Sequence, residues 1–253
     1  MLNHQTTETT LSIREDDAPI LTCDYGDATN SPFLHPIYTP DGQVVTVDAT
    51  FGQPYPPGIS FSLGTISGGQ YARSVSSRKL LSSSDQFSID STWEDATGLF
   101  LIETYRVEVK PRQNEVQIVD IKISLRAPKR SVELTGDVGL GYHAVEMEHR
   151  KAVDADTRMG ELELNGKVSA WGTLSGLTTA ENVPVGVAIF PHPANGKTTF
   201  FAHDVSFGYL FAQAAPLTVS TVMMRTLKYR ILAYGGDPFT VDVSEYYKDY
   251  TNT

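Results

Sequence analysis

The chain has one cysteine, Cys23, in 253 residues. A single thiol excludes an intrachain disulfide and any metal site built from several thiolates. Long apolar runs are missing too: nothing approaches the roughly 18 to 20 residues that a membrane-spanning helix needs. Positive charge is scarce, with 20 Lys and Arg against 30 Asp and Glu and a formal net charge of −10. The densest basic group, Arg126, Lys129 and Arg130, is too small for the basic stripe that nucleic-acid binding requires. An acidic protein also repels polyanions, so the expected partner is a neutral or weakly charged small molecule. Residues 1–16 hold no basic segment followed by an apolar block, so no secretion signal is expected. With the lone thiol, this points to a reducing cytoplasm.

Helical periodicity is equally hard to find, and what takes its place is short apolar runs between Gly, Pro and Asn turns. In Leu99–Val109 the odd positions are Leu99, Leu101, Glu103, Tyr105, Val107 and Val109, which places Glu103 on the apolar face of a strand. Beyond Asn114, apolar residues occupy even positions at Val116 and Ile118, then odd ones at Val119, Ile121, Ile123 and Leu125. A slip of one residue predicts a β-bulge. Leu11–Cys23 reads as a hairpin turning at Arg14–Asp17. Residues 187–204 read as a second hairpin, two apolar arms around Asn195-Gly196.

The pattern predicts an all-β fold, a large antiparallel β-sandwich with few or no helices, in one domain over residues 1–253. Residues 1–10 would be loose or an edge strand. The tail, 241–253, would form one or two helical turns with its tyrosines against the sheet.

Several residues carry chemistry. Segment 31–42 packs His35 and Tyr38 among Pro32, Pro36 and Pro40, and prolines there rule out a helix or a central strand. His192 stands between Pro191 and Pro193, and His203 precedes Asp204, so each arm of the expected hairpin ends in an imidazole. A capping histidine and a surface histidine read equally well. Glu103, buried on an apolar face, is either paired or carries a raised pKa suited to acid–base work. His143 and His149 lie near Glu146 and Glu148 without the spacing that places two imidazoles on one helical face, which predicts a charged surface segment.

Taken in order, segments 31–46, 91–106, 184–211 and 227–237 resemble the bacterial PmoA-like family. The resemblance implies a large sandwich of the galactose-mutarotase-like supersandwich type and an association with carbohydrate breakdown. Two departures stand out. Where the family has a His-Pro-His-His-Arg-Gly turn, this chain has Gln53-Pro54-Tyr55-Pro56-Pro57-Gly58. Where relatives place Arg after Gly-Leu-Gly, it has Tyr142-His143. The scaffold is kept and the site rebuilt.

The residues favour an enzyme acting on a carbohydrate-like small molecule by proton transfer, as an isomerase, lyase or hydrolase. His35, His192, His203 and Glu103 would be its acid–base groups, because imidazole titrates near neutrality. Tyr38, Gln53, Tyr55, Arg106, His143, Trp171 and Asp204 would line the substrate site. Two alternatives stay open: a biosynthetic isomerase or cyclase that holds an apolar intermediate in a reactive shape, and a non-catalytic ligand-binding module. No cofactor is expected; the one metal chemistry open to these residues is a divalent ion on His35, His192 and His203. Nucleic acid and membrane are not expected as partners, and a homodimer is left open.

Overall fold

Strands need apolar faces to bury, and this chain supplies nearly all of its order that way. The structure, a computed structural model, describes residues 1–26, 31–48, 56–67, 71–74, 81–113, 115–203, 208–236, 239 and 241–252. Five strands lay down half of a first sheet: β1 (Leu2–Thr6), β2 (Thr10–Glu15), β3 (Ala18–Asp24), β4 (Phe33–Ile37) and β5 (Ile59–Ile66). The next five open a second: β6 (Tyr71–Ser74), β7 (Leu81–Ser82), β8 (Gln86–Asp95), β9 (Gly98–Val109) and β10 (Val116–Arg126). The chain returns to the first sheet with β11 (Val132–His143) and crosses back with β12 (Met147–Asp154). A one-turn helix, α1 (Glu161–Leu164), precedes β13 (Lys167–Val168) in the first sheet and β14 (Gly172–Thr178) and β15 (Pro184–Pro191) in the second. Strands β16 (Thr198–His203), β17 (Tyr209–Ala214) and β18 (Leu217–Val219) complete the first sheet, β19 (Arg225–Gly235) completes the second, and α2 (Val243–Thr251) ends the chain.

Among the described residues every strand pair is antiparallel, in the orders β1-β2-β3-β4-β5-β11-β17-β16-β13 and β12-β14-β15-β19-β10-β9-β8-β6. The fold is therefore the expected all-β sandwich. Its main core lies between the sheets, with Leu21, Leu34, Phe61, Leu140 and Leu210 meeting Tyr105, Val107, Ile121, Val187 and Ile231. The first hairpin closes as expected, on Asp16 and Asp17, both at positive φ (47° and 68°), the conformation that matches strand twist in a two-residue turn. Residues 2–6 are an edge strand.

Four expectations are corrected. The proline-rich segment 31–42 does hold a central strand: β4 pairs with β3 on one side and with β5 on the other, and the β3 ladder shifts register between Leu21 and Cys23, so that Pro36 is passed over and its missing donor is absorbed. Asn195-Gly196 closes no hairpin: β15 pairs with β14 and β19, and β16 with β17 and β13. A 3-10 turn at Pro193–Asn195 instead carries the chain from one sheet to the other. No bulge interrupts β10, whose register with β19 runs unbroken from Val116 to Leu125. The apparent slip arises because both faces of β10 are apolar. Val119 and Ile121 enter the main core, while Val116 and Ile118 join a second cluster on the sheet's outer face with Trp171, Phe190, Leu232 and Tyr234. That cluster is covered by α2, whose Tyr250 is buried and whose Tyr246 and Tyr247 pack against it, as the tail's tyrosines imply. Finally, the segment expected at the surface divides: Glu146, Glu148 and His149 are exposed, but His143 is the buried end of β11.

Candidate functional site

Register decides which side chains share a face. On the first sheet's outer face three transverse rows follow from the pairings. The first is titratable: His143 stands opposite Tyr209, and Tyr209 opposite His203. His35 extends the row on β4. The His143 N–H donates to the Gly58 carbonyl, and a Cβ at Gly58 would lie 3.0 Å from the His35 Cβ, so only glycine's bare backbone separates the two histidine positions. The second row is aromatic, Phe33–Ser60–Gly141–Phe211–Phe201. The third carries hydroxyls and an amide, Ser62–Gly139–Gln213–Thr199. A register shift between Thr135 and Val138 is the sort of irregularity that re-aims a side chain, and Asp137 there turns to the same pocket.

The pocket over these rows has a volume of about 260 Å³ and is lined by Pro56, Ser62, Asp137, Phe201, His203, Tyr209 and Phe211. Its rings form a ladder. His203 stacks on Tyr209 at 6.4 Å and Tyr209 on Phe211 at 6.2 Å, while His143 meets Tyr209 edge-on at 6.1 Å. Tyr209 can lean over the sheet because Gly141 offers no side chain: a Cβ there would sit 2.3 Å from the Tyr209 hydroxyl. A larger cleft of about 500 Å³, lined among the described residues by Pro40, Asp41, Glu115, Val183, Pro184, Gly235 and Gly236, draws from them two carboxylates but no imidazole and no aromatic ring.

Burial tunes the imidazoles. Desolvation pulls His143 below the ordinary value of 6.5, with the Pro56 carbonyl opposing. It does the same for His35, against the Asp48 charge. Both are therefore neutral at pH 7 and able to accept or pass a proton. The sign for stability follows. Above 6.5 both folded and unfolded forms are neutral and nothing is lost; as pH falls through 6.5 the unfolded chain binds protons first and stability declines, until the folded pKa is passed. Chemical denaturation at pH 7.5 and 5.5 is expected to show this loss in the wild type and a smaller one in His143→Gln. An equal loss in both would refute the assignment to His143.

The structure thus brings His35, His143 and His203 to one face and places the other expected residues that it describes elsewhere. His192 lies on the opposite side of the sandwich: it caps the 3-10 turn by accepting the Ala194 N–H at 3.0 Å and packs edge-on against Tyr250 at 5.4 Å. The bland reading of it as a capping histidine is what the geometry gives. Glu103 points into the main core, where its carboxylate accepts the Trp93 indole N–H at 3.1 Å. Arg106 is exposed on the outer face of β9 and donates to Gln86. Trp171 belongs to the cluster under α2. Tyr38 is half-buried beside its bridge to Val44. Gln53, Tyr55 and Asp204 lie outside the described residues. Among the described residues no group of three or more His, Cys, Asp or Glu is placed to hold a metal ion. No helix of the described residues is long and apolar enough to cross a membrane.

Tyr209, Phe211, Phe201, Ser62 and Asp137 were not singled out by the sequence reading. One signal pointed there: Gly139-Leu140-Gly141 leaves one strand face bare, which marks a close approach by another group.

A model for a family of unknown function, DUF6807, matches residues 10–248. No curated protein matches the sequence. Among solved structures, the chain is similar to a "putative mutarotase (YeaD)" from Salmonella typhimurium, with 10% identity, coverage of 92% of this chain and 97% of that one, and a TM-score of 0.41.

Proposed function

We propose that this chain, which belongs to the family of unknown function DUF6807, is an enzyme that shifts a proton on a neutral, polyol-like small molecule held on the outer face of the first sheet. The observation that carries this reading is the pocket floor, with aromatic rings between a titratable row and a hydroxyl-and-amide row. A sugar ring presents apolar C–H faces and a rim of hydroxyls, so rings beneath and polar groups at both edges complement it. The likeness of segments 31–46, 91–106 and 184–211 to the PmoA-like family supports a carbohydrate.

In this reading His203, half-exposed in the pocket, removes a proton from the ligand. The Tyr209 hydroxyl delivers another at a neighbouring atom, and solvent restores both groups. His143, neutral and edge-on to Tyr209, holds the phenol in place. Acid–base catalysis of this kind contributes about 10² to 10⁴-fold.

The test is NMR of a panel of neutral monosaccharides and disaccharides in D₂O with the full chain. Wild type is expected to bind at least one sugar and to catalyse deuterium uptake at one carbon. His203→Ala is expected to slow uptake by about 10² to 10⁴-fold with little change in affinity, and Phe211→Ala to weaken binding. Binding without any uptake would reduce the protein to a ligand-binding module. Absence of binding to every polyol would overturn the substrate class, and uptake that survives His203→Ala would overturn the role of that residue.

A further inference from the structure

We propose that Thr46 is a positioning residue that locks the His35 ring in the tautomer with its proton on Nε2. Thr46 is 1% exposed. Its hydroxyl oxygen accepts the Ile37 N–H at 3.1 Å and stands 2.9 Å from the His35 Nδ1. A hydroxyl carries one hydrogen, and a neutral imidazole has one nitrogen that donates and one that accepts. Were Nδ1 the protonated nitrogen, the Thr46 oxygen would accept twice and its own hydrogen would be buried with no acceptor among the described residues, an arrangement folded proteins avoid. With Nδ1 accepting, the Thr46 hydroxyl donates once and accepts once, and every group is satisfied.

The position of His35 gives this tautomer a consequence. Phe33, two residues earlier on β4, is opposite Ser60, so the strand turns Phe33 and His35 toward the face that carries Tyr209 and His203. With Nδ1 engaged by Thr46, the ring has only Nε2–H left for a ligand. His35 is thereby a hydrogen-bond donor suited to an oxygen that gains negative charge, and the base role falls to His203. This consequence rests on the outer-face reading of the site; the tautomer does not.

Long-range ¹H–¹⁵N spectra of the ¹⁵N-labelled full chain at neutral pH read the tautomer directly, with the His35 signals identified by their loss in His35→Gln. Wild type is expected to show protonated Nε2 and unprotonated Nδ1. Thr46→Ser is expected to keep that pattern, and Thr46→Val to give a mixture of tautomers at His35 while the His143 and His203 signals stay unmoved. Protonated Nδ1 in the wild type would overturn the proposal, as would an unchanged tautomer in folded Thr46→Val. Should Thr46→Val fail to fold, the wild-type and Thr46→Ser spectra still decide. Because no ligand is needed, failure to bind sugars and failure of the tautomer assignment are separate results.

Discussion

Gly139→Ala is expected to destabilise the protein by about 3 kcal/mol or more, at the upper end of what overpacking costs. The reason is what a Cβ would meet: the Ala212 carbonyl oxygen at 2.1 Å, its carbonyl carbon at 2.9 Å and the Gln213 Cα at 3.0 Å. All three are backbone atoms of β17, so the only relief is to separate β11 from β17. The neighbouring Gly141→Ala is the informative contrast. There the crowding atoms are the hydroxyl and ring carbons of Tyr209, at 2.3, 3.0 and 3.2 Å. A phenol at the end of a side chain can swing aside where a backbone cannot. Gly141→Ala is expected to cost about 1 kcal/mol and to abolish ligand binding, because the displaced ring breaks the ladder His203–Tyr209–Phe211. Urea denaturation of the two variants checks the order. Equal destabilisation would show that Tyr209 is as immovable as the strand, and binding retained by Gly141→Ala would remove Tyr209 from the site.

The second large effect lies far from the pocket. Arg230, 8% exposed, donates to both Asp120 oxygens, at 2.6 and 2.8 Å, and its guanidinium sits 4.6 Å from the centre of the Tyr250 ring. One side chain therefore ties β19 to β10 across the sheet and to α2 above it. Arg230→Ala leaves the Asp120 carboxylate without its bidentate partner and strips the ring of its cation. Breaking a buried pair costs about 3–5 kcal/mol. The low end is expected here, because Asp120 is 22% exposed and Lys110 stands 4.0 Å away as a partial substitute. The same variant is expected to speed hydrogen exchange in α2, and a volume-matched Arg230→Met to recover part of the stability. No change in α2 exchange would show that the helix is held by Phe190 and Tyr247, 5.6 Å apart, and not by the cation.

Alternation along the chain determined the all-β class and strands such as β9, because a half-buried strand must repeat its apolar residues every second position, and the polar run Arg14–Asp17 marked the first turn. Composition determined the acidic balance, −10 whatever the fold, on which the expectation against nucleic acid rests. The tail's tyrosines were legible as a docking face for the same reason that strands were. Where both faces of a strand are apolar, however, the pattern loses its meaning. In β10 that ambiguity mimicked a bulge, and it was resolved only by the helix packed on the outer face. Asn195-Gly196 looked like a hairpin because local turn chemistry cannot say which sheet the next strand joins. That choice separated His192 from His203 and replaced a two-histidine hairpin by a row drawn from β4, β11, β17 and β16. Such a row is made of residues up to 168 positions apart, from His35 to His203. Only the pairing register of the first sheet decides that they meet, because cross-strand neighbours are set by hydrogen-bonded pairing and leave no periodic trace in the chain.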